Sequence, residues 1–173
     1  LADAQEMVDI FNRSNEVEDF LSAEKLKLTK GGIHFKEVYF SYFEQKEISD
    51  KKSSSMQIFS NLNLKIKPEE KIAIVGHSGS GKSTFVKILL RFYNLQTGKI
   101  LVDDQDIAKV SPQSLRQNIS LVPQDPDLFH RSISENIAYG KPNASEAEII
   151  KAAKLAHADK FIQKFPQAYQ TLV

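Results

Sequence analysis

Strand-like and helix-like runs alternate along this 173-residue chain, which predicts an α/β domain built around a largely parallel sheet. Three observations carry that expectation. Ile72-Ala73-Ile74-Val75 is a continuous apolar run, the pattern of a strand covered on both faces. A glycine-rich turn follows, and beyond it Phe85, Ile88, Leu89 and Phe92 recur at helical spacing as a buried face. Upstream, Leu62, Leu64 and Ile66 alternate as a half-buried strand that Lys67-Pro68-Glu69 stops.

The remaining elements follow in order. Met7, Ile10 and Phe11 share a helical face, and an acidic, polar run from Asn12 to Glu24 reads as a linker. Residues 1–30 hold 4 basic and 7 acidic groups and are read as a connector, with the folded domain starting near Gly31. Ile33-His34-Phe35 and Val38-Tyr39-Phe40 are strand-like, and the apolar phase slips between them as a bulge would cause. Glu44 to Ser55 is a polar loop. Lys99 to Val102 and Ile119 to Val122 read as short strands, the second ended by Pro123. Ser111-Pro112 opens a short helix with Ser at the N-cap and Pro at the first helical position. Ser145-Glu146-Ala147-Glu148 has capping-box spacing and opens a helix through Ile149, Ile150, Ala153 and Leu155. A final helix runs from Asp159 towards Phe165 and stops before Pro166.

Composition narrows the class. With 23 Lys+Arg against 22 Asp+Glu, the net charge of +1 argues against a nucleic-acid binder. A 41% hydrophobic and 26% charged chain is globular rather than disordered. The absence of cysteine excludes a disulfide framework and any thiolate metal site. The longest apolar runs are a few residues, far short of a membrane span. The chain opens on Leu1-Ala2-Asp3 without an initiator Met, as a soluble piece cut from something longer would.

The informative segment is Gly76-His77-Ser78-Gly79-Ser80-Gly81-Lys82-Ser83-Thr84, a G-x-x-x-x-G-K-[ST] match. Glycines at 76, 79 and 81 allow positive φ and bring backbone N–H groups within reach of phosphate oxygens. The helix starting there points its positive dipole end at the same anion. Lys82 is suited to the β- and γ-phosphates, Ser83 to Mg²⁺ and Thr84 to the α-phosphate of a bound nucleotide. A small phosphate-loop kinase would fit this length, but the loop sits late in the chain and only Arg91, Arg116 and Arg131 lie beyond it.

The surrounding residues resemble the nucleotide-binding domain of ABC transporters, of the exporter type with transmembrane and ATPase parts on one chain. The likeness runs through Phe35 to Tyr42, Ile58 to Pro68, Leu90-Arg91-Phe92-Tyr93 and Thr97 to Ile100. It continues through Ser114-Leu115-Arg116, Ile119 to Phe129 and Ile133 to Gly140, so it covers about residues 31–173 in unbroken order. The fold implied is a phosphate-loop NTPase of ABC ATPase type, with a mixed sheet that has an N-terminal antiparallel β part.

The resemblance assigns further roles. Tyr42 matches the aromatic that stacks on adenine, with Phe40 and Phe43 as close rivals and a core aromatic as the alternative. Gln124 matches the glutamine whose side-chain oxygen approaches Mg²⁺ and the attacking water. The Asp125–Leu128 loop and Phe129 resemble the surface that receives a coupling helix from the transmembrane part, although burial in a core would account for Phe129 equally well. His77 falls at a variable position whose side chain points away from the phosphates, and no histidine cluster suits a metal.

Ile100-Leu101-Val102-Asp103-Asp104 imitates a strand-borne acidic motif, but it follows the phosphate-loop helix too closely and is expected to be a strand entering a turn. Asp104 stands where the family usually has Gly, which costs little if Asp adopts the left-handed conformation. The family's Leu-Ser-Gly-Gly-Gln-type signature, its Asp-Glu strand and its switch histidine do not occur in this sequence. The chain is therefore expected to be a connector plus a partial domain lacking its C-terminal portion. It would bind ATP and Mg²⁺ with negligible turnover on its own, as part of an exporter ATPase at the cytoplasmic face of a membrane. Its partners would be its own transmembrane domain and a second nucleotide-binding domain, with the transported substrate left open. A soluble ABC-type ATPase, a small kinase and a regulatory nucleotide binder are the alternatives.

Overall fold

Residues Ile33–Tyr42 form a single strand, β1, and the slip in apolar phase is a bulge: its register against the next strand shifts between Phe35 and Val38. The bulge keeps Phe35, Val38 and Phe40 all buried, where strict alternation would turn some of them outward. Glu37, at the bulge, takes a φ of 48° and donates its backbone N–H to Asn63 Oδ1 at 3.0 Å. This computed structural model describes Val8, residues 23–42 and residues 56–173. The polar loop and nearly all of the expected N-terminal helix therefore lie outside the described residues. The chain divides into two compact units, one ending at Ser120 and the other running Leu121–Val173.

In the first unit, β2 (Met56–Ile66) and β3 (Thr97–Val102) pair antiparallel with either side of β1, and β4 (Gln105–Asp106) pairs with β3. The sheet order is β2-β1-β3-β4. Asp103 and Asp104 form the two-residue turn between β3 and β4, with φ of 46° and 62°. Both central residues at positive φ is what a tight hairpin turn of the favoured hand requires. The acidic pair is thus a turn, and Asp104 does adopt the conformation that Gly would take.

Helix α1 (Lys82–Leu89) lies in the same core. Phe85 stacks on Phe35 with ring centroids 4.4 Å apart, and Ile88 is buried. Each such large apolar side chain contributes about 1.5–3 kcal/mol on burial. Phe92 departs from the expected buried face: it lies beyond the helix end, is 45% exposed, and carries the Arg116 guanidinium 4.8 Å above its ring. Helix α2 (Pro112–Gln117) starts as its sequence predicts, the Ser111 hydroxyl accepting from Ser114 N–H at 3.2 Å.

The predicted strands at 72–75 and 119–122 do not form. Both stretches are unpaired, and Val75 and Val122 are 88% and 89% exposed. An apolar run has the composition of a buried strand, but a strand exists only when neighbours take up its backbone N–H and C=O groups. No described strand lies beside either run, so the sheet observed is wholly antiparallel rather than largely parallel.

Residues 23–30, read as the end of a connector, are fastened to the first unit. Glu24 makes a parallel bridge to Val110, and Leu26 belongs to the core and donates its N–H to Ser114 Oγ at 2.9 Å.

The second unit is helical: α3 (Ile133–Ala138), α4 (Glu146–Leu155), α5 (Asp159–Ile162) and a 3₁₀ turn at Ala168–Gln170. The capping box predicted at Ser145 and Glu148 is present, and a second one joins Ser132 and Glu135 at the start of α3. The last helix ends at Ile162, earlier than expected, and continues as turns.

Candidate nucleotide site

The phosphate loop leads from the exposed run at 72–75 into α1. Gly81 is the N-cap of α1 with φ 89° and ψ 5°, and no side chain caps the helix. The first amides of α1 therefore have no side-chain acceptor, the arrangement that suits an incoming anion. Gly81 is required by contact as well as by conformation, and Gly76, which is not at positive φ, lies close against Ser80. A Cβ on Gly81 would come 2.8 Å from Ile58 Cγ2, and one on Gly76 would come 2.5 Å from Ser80 Oγ. Gly79 also has positive φ, at 80°.

Lys82 folds back over the loop it closes. Its Nζ donates to the Gly76 carbonyl at 2.8 Å, the His77 carbonyl at 2.7 Å and Ser80 Oγ at 3.4 Å. The ammonium is thus held at the mouth of the cradle by neutral acceptors, which a charged phosphate oxygen outcompetes. The His77 ring makes a 2.7 Å contact from Nδ1 to the Ser78 carbonyl. Ser83 is exposed on the first turn of α1, and Thr84 is buried beside it.

Tyr42 ends β1 and reaches α1: its hydroxyl lies 3.1 Å from Thr84 Oγ1. Its ring meets Phe40 and Tyr93 edge-on, at centroid distances of 5.1 and 5.2 Å. Of its two rivals, Phe40 is buried in the core and Phe43 lies outside the described residues. The structure therefore brings Tyr42, Lys82, Ser83 and Thr84 to one end of β1 and α1. Gln124 is in the second unit, on an exposed stretch without regular structure, as are Asp125 to Phe129. Among the described residues no group of three His, Asp or Glu side chains could hold a metal ion.

Residues 59–172 match the family described as ABC transporter. The chain belongs to the ABC transporter family. It is 43% identical over 171 residues to ABC transporter B family member 3 of Dictyostelium discoideum, which covers 98% of this chain and 11% of that protein. It is 41% identical over 174 residues to the mitochondrial iron-sulfur clusters transporter atm1 of Aspergillus fumigatus, covering all of this chain and 23% of that one. A structure of a bacterial Atm1-family ABC exporter with ATP bound matches 99% of this chain at a TM-score of 0.83 and 38% identity, over 28% of its own length. The chain thus spans less than a quarter of the curated relatives quoted. Kinase and soluble-ATPase readings find no support in these matches.

Two residues of this ABC transporter chain acquire roles that its sequence did not assign. Arg116 donates from Nε to the Leu90 carbonyl at 3.0 Å and from Nη2 to the Arg91 carbonyl at 2.8 Å. It therefore satisfies carbonyls just past the C-terminus of α1, where a cation also complements the helix dipole. Asn136 binds the Phe129 backbone on both sides, accepting its N–H at 2.9 Å and donating to its carbonyl at 3.0 Å. Phe129 is half-exposed and lies 4.5 Å from the exposed ring of Tyr139. Burial does not explain Phe129. Neither role has a local signal, since Arg116 bonds to residues 25 and 26 positions away and Asn136 is an ordinary polar residue inside a short helix.

Proposed function

We propose that residues 31–173 are the ATP-binding first part of an exporter's nucleotide-binding domain, and that residues 1–30 lead into it from the membrane-embedded region. The longer protein would couple ATP binding and hydrolysis to movement of a substrate across a membrane. The observation that carries this reading is the phosphate loop, with the amides of α1 uncapped behind Gly81 and Lys82 poised at its mouth.

The residues present fit Mg-ATP. Gly79 and Gly81, both at positive φ, turn the loop into a helix whose first amides no side chain caps. Lys82 would exchange its two carbonyl acceptors for β- and γ-phosphate oxygens, and Thr84 would contact the α-phosphate. Tyr42 would stack on adenine, and its hydroxyl bond to Thr84 would tie the base end of the site to the phosphate end. Ser83 and Gln124 would hold Mg²⁺, which when bound supplies the charge that neutralises the β- and γ-oxygens. Gln124 to Phe129 would meet a coupling helix of the transmembrane domain, on the cytoplasmic side, and a second nucleotide-binding domain would complete the dimer. Among the described residues no helix is long and apolar enough to cross a membrane. The signature and Asp-Glu motifs are not among these 173 residues, so this stretch alone would bind nucleotide without turning it over.

Calorimetric titration of Mg-ATP into the 173-residue chain and its Lys82→Ala variant tests the reading. A charge-assisted hydrogen bond contributes about 1.5–3 kcal/mol, so the variant should bind roughly ten- to a hundredfold more weakly. Equal affinity for both would overturn the assignment. Turnover like that of an intact ATPase, lost with Lys82, would overturn the claim that the chain only binds.

A further inference from the structure

The outer face of the β-sheet, away from the phosphate loop's helix, carries a cationic cleft that the nucleotide site does not use. His34 and Lys36 project from β1, Lys99 pairs with Lys36 from β3, and Lys65 pairs with His34 from β2. With neighbouring strands about 4.8 Å apart, the four groups spread over about 10 Å. His34, Lys36, Glu37, Asn63, Gly98 and Lys99 line a cleft of about 500 Å³, within the size range of small-ligand sites. Its carboxylate complement is Glu37, with Asp104 near His34. Neither Lys36, Lys65 nor Lys99 forms an ion pair among the described residues.

The cleft has a fixed frame. Asn63 holds the bulge at Glu37 through its Oδ1, and its own amide group donates to Asn61 O and Asn61 Oδ1, both at 3.0 Å. Gly98 passes under the bulge so closely that a Cβ there would lie 2.2 Å from the Glu37 carbonyl oxygen, with φ at 84°. A Gly on β3 and a left-handed Glu on β1 thus open the sheet surface between the lysines. The positive potential is sensed at His34, whose pKa is lowered first by burial and then by Lys36 and Lys65, with Asp104 opposing.

We propose that this cleft binds a soluble oligophosphate anion, held by the lining groups Lys36, Lys99 and His34 and separate from the nucleotide site. Lys65, beside His34, adds positive charge from outside the lining. Lysine ammonium groups bind phosphate as point charges, and their spread suits several linked phosphates better than one. The lining has no Phe, Tyr or Trp ring to stack on a base and no apolar side chain to enter a bilayer. The chemistry therefore selects the phosphates themselves.

Inorganic tripolyphosphate is the probe, read by the NMR signals of the His34 ring across a pH titration. Binding should raise the His34 pKa and shift its signals saturably, and the effect should weaken as salt is added. It should persist in Lys82→Ala, where the phosphate loop is disabled. The double variant Lys36→Gln/Lys99→Gln, at one half-buried and one exposed site, should bind roughly tenfold more weakly while its backbone spectrum stays folded. The proposal is overturned if tripolyphosphate leaves His34 unmoved, if the double variant binds as well as the parent, or if the response vanishes in Lys82→Ala. It is also overturned if only vesicles containing phosphatidylinositol bisphosphate, and not the soluble anion, move the His34 signals.

Discussion

Asp103 accepts the backbone N–H groups of Thr29, Lys30, Gly31 and Gly32 at 2.7–3.0 Å, and the Thr29 hydroxyl as well. These bonds, Gly31 first and Thr29 next, hold its carboxyl far below the usual carboxylate range. One side chain on a hairpin turn thereby fixes the segment that enters β1. Its worth is separable from its strained backbone. Asp103 has positive φ, so Asp103→Ala would mix loss of the bonds with strain, whereas Asp103→Gly removes the carboxylate and suits the backbone better. Charge-assisted bonds contribute about 1.5–3 kcal/mol each when shielded. These donors are reached by water, so the whole set is worth about 2 kcal/mol. Asp103→Gly should lower stability by up to about that amount in urea denaturation, and an unchanged or higher midpoint would show that the clamp contributes no more than the relief of backbone strain. Asp103→Asn should lie between, since its one carbonyl oxygen can still serve part of the set.

Among the elements, those governed by neighbours in sequence were the legible ones. The β1 bulge announced itself in the slipped phase between Phe35 and Val38, and the cap of α4 in the spacing of Ser145 and Glu148. The phosphate loop was legible for the same reason, because its turn, glycines and lysine are contiguous. Leu26 in the core and Asp103 on the 29–32 segment were not, because their partners lie more than 70 positions away. The cap of α4 also gives a pH signature. Glu148 accepts from Lys141 Nζ and from Ser145 N–H and Oγ–H, which together depress its pKa to about 2, the Lys141 bond most. The folded value is below the ordinary 4.5, so the stabilisation is present above pH 4.5 and is lost as pH falls from there towards 2. An NMR titration of the Glu148 carboxyl should show its midpoint near 2, rising in Lys141→Met. A midpoint at the ordinary value would mean that the cap is not formed.

At the scale of the whole molecule, two runs with the composition of central strands stand unpaired. Ile72 to Val75 and Ile119 to Val122 suit a parallel sheet covered on both faces, but pairing depends on other strands and cannot be read from the runs themselves. The antiparallel sheet needs neither run, since β1 already has a neighbour on each side and its inward face is filled by Phe35, Val38 and Phe40. Protection against hydrogen exchange should divide accordingly. Amides of β1 open only when the core is disrupted, so they should exchange slowest, while those of residues 72–75 and 120–122 should exchange near the unprotected rate. The measurement belongs at a concentration where light scattering shows single chains, because exposed apolar edges are templates for association. Slow exchange at 72–75 under those conditions would mean that a strand pairs with this run, and the wholly antiparallel description of the sheet would then be wrong. Protection that grows with concentration would instead identify the runs as edges that recruit another strand, leaving the antiparallel sheet as the part that stands on its own contacts.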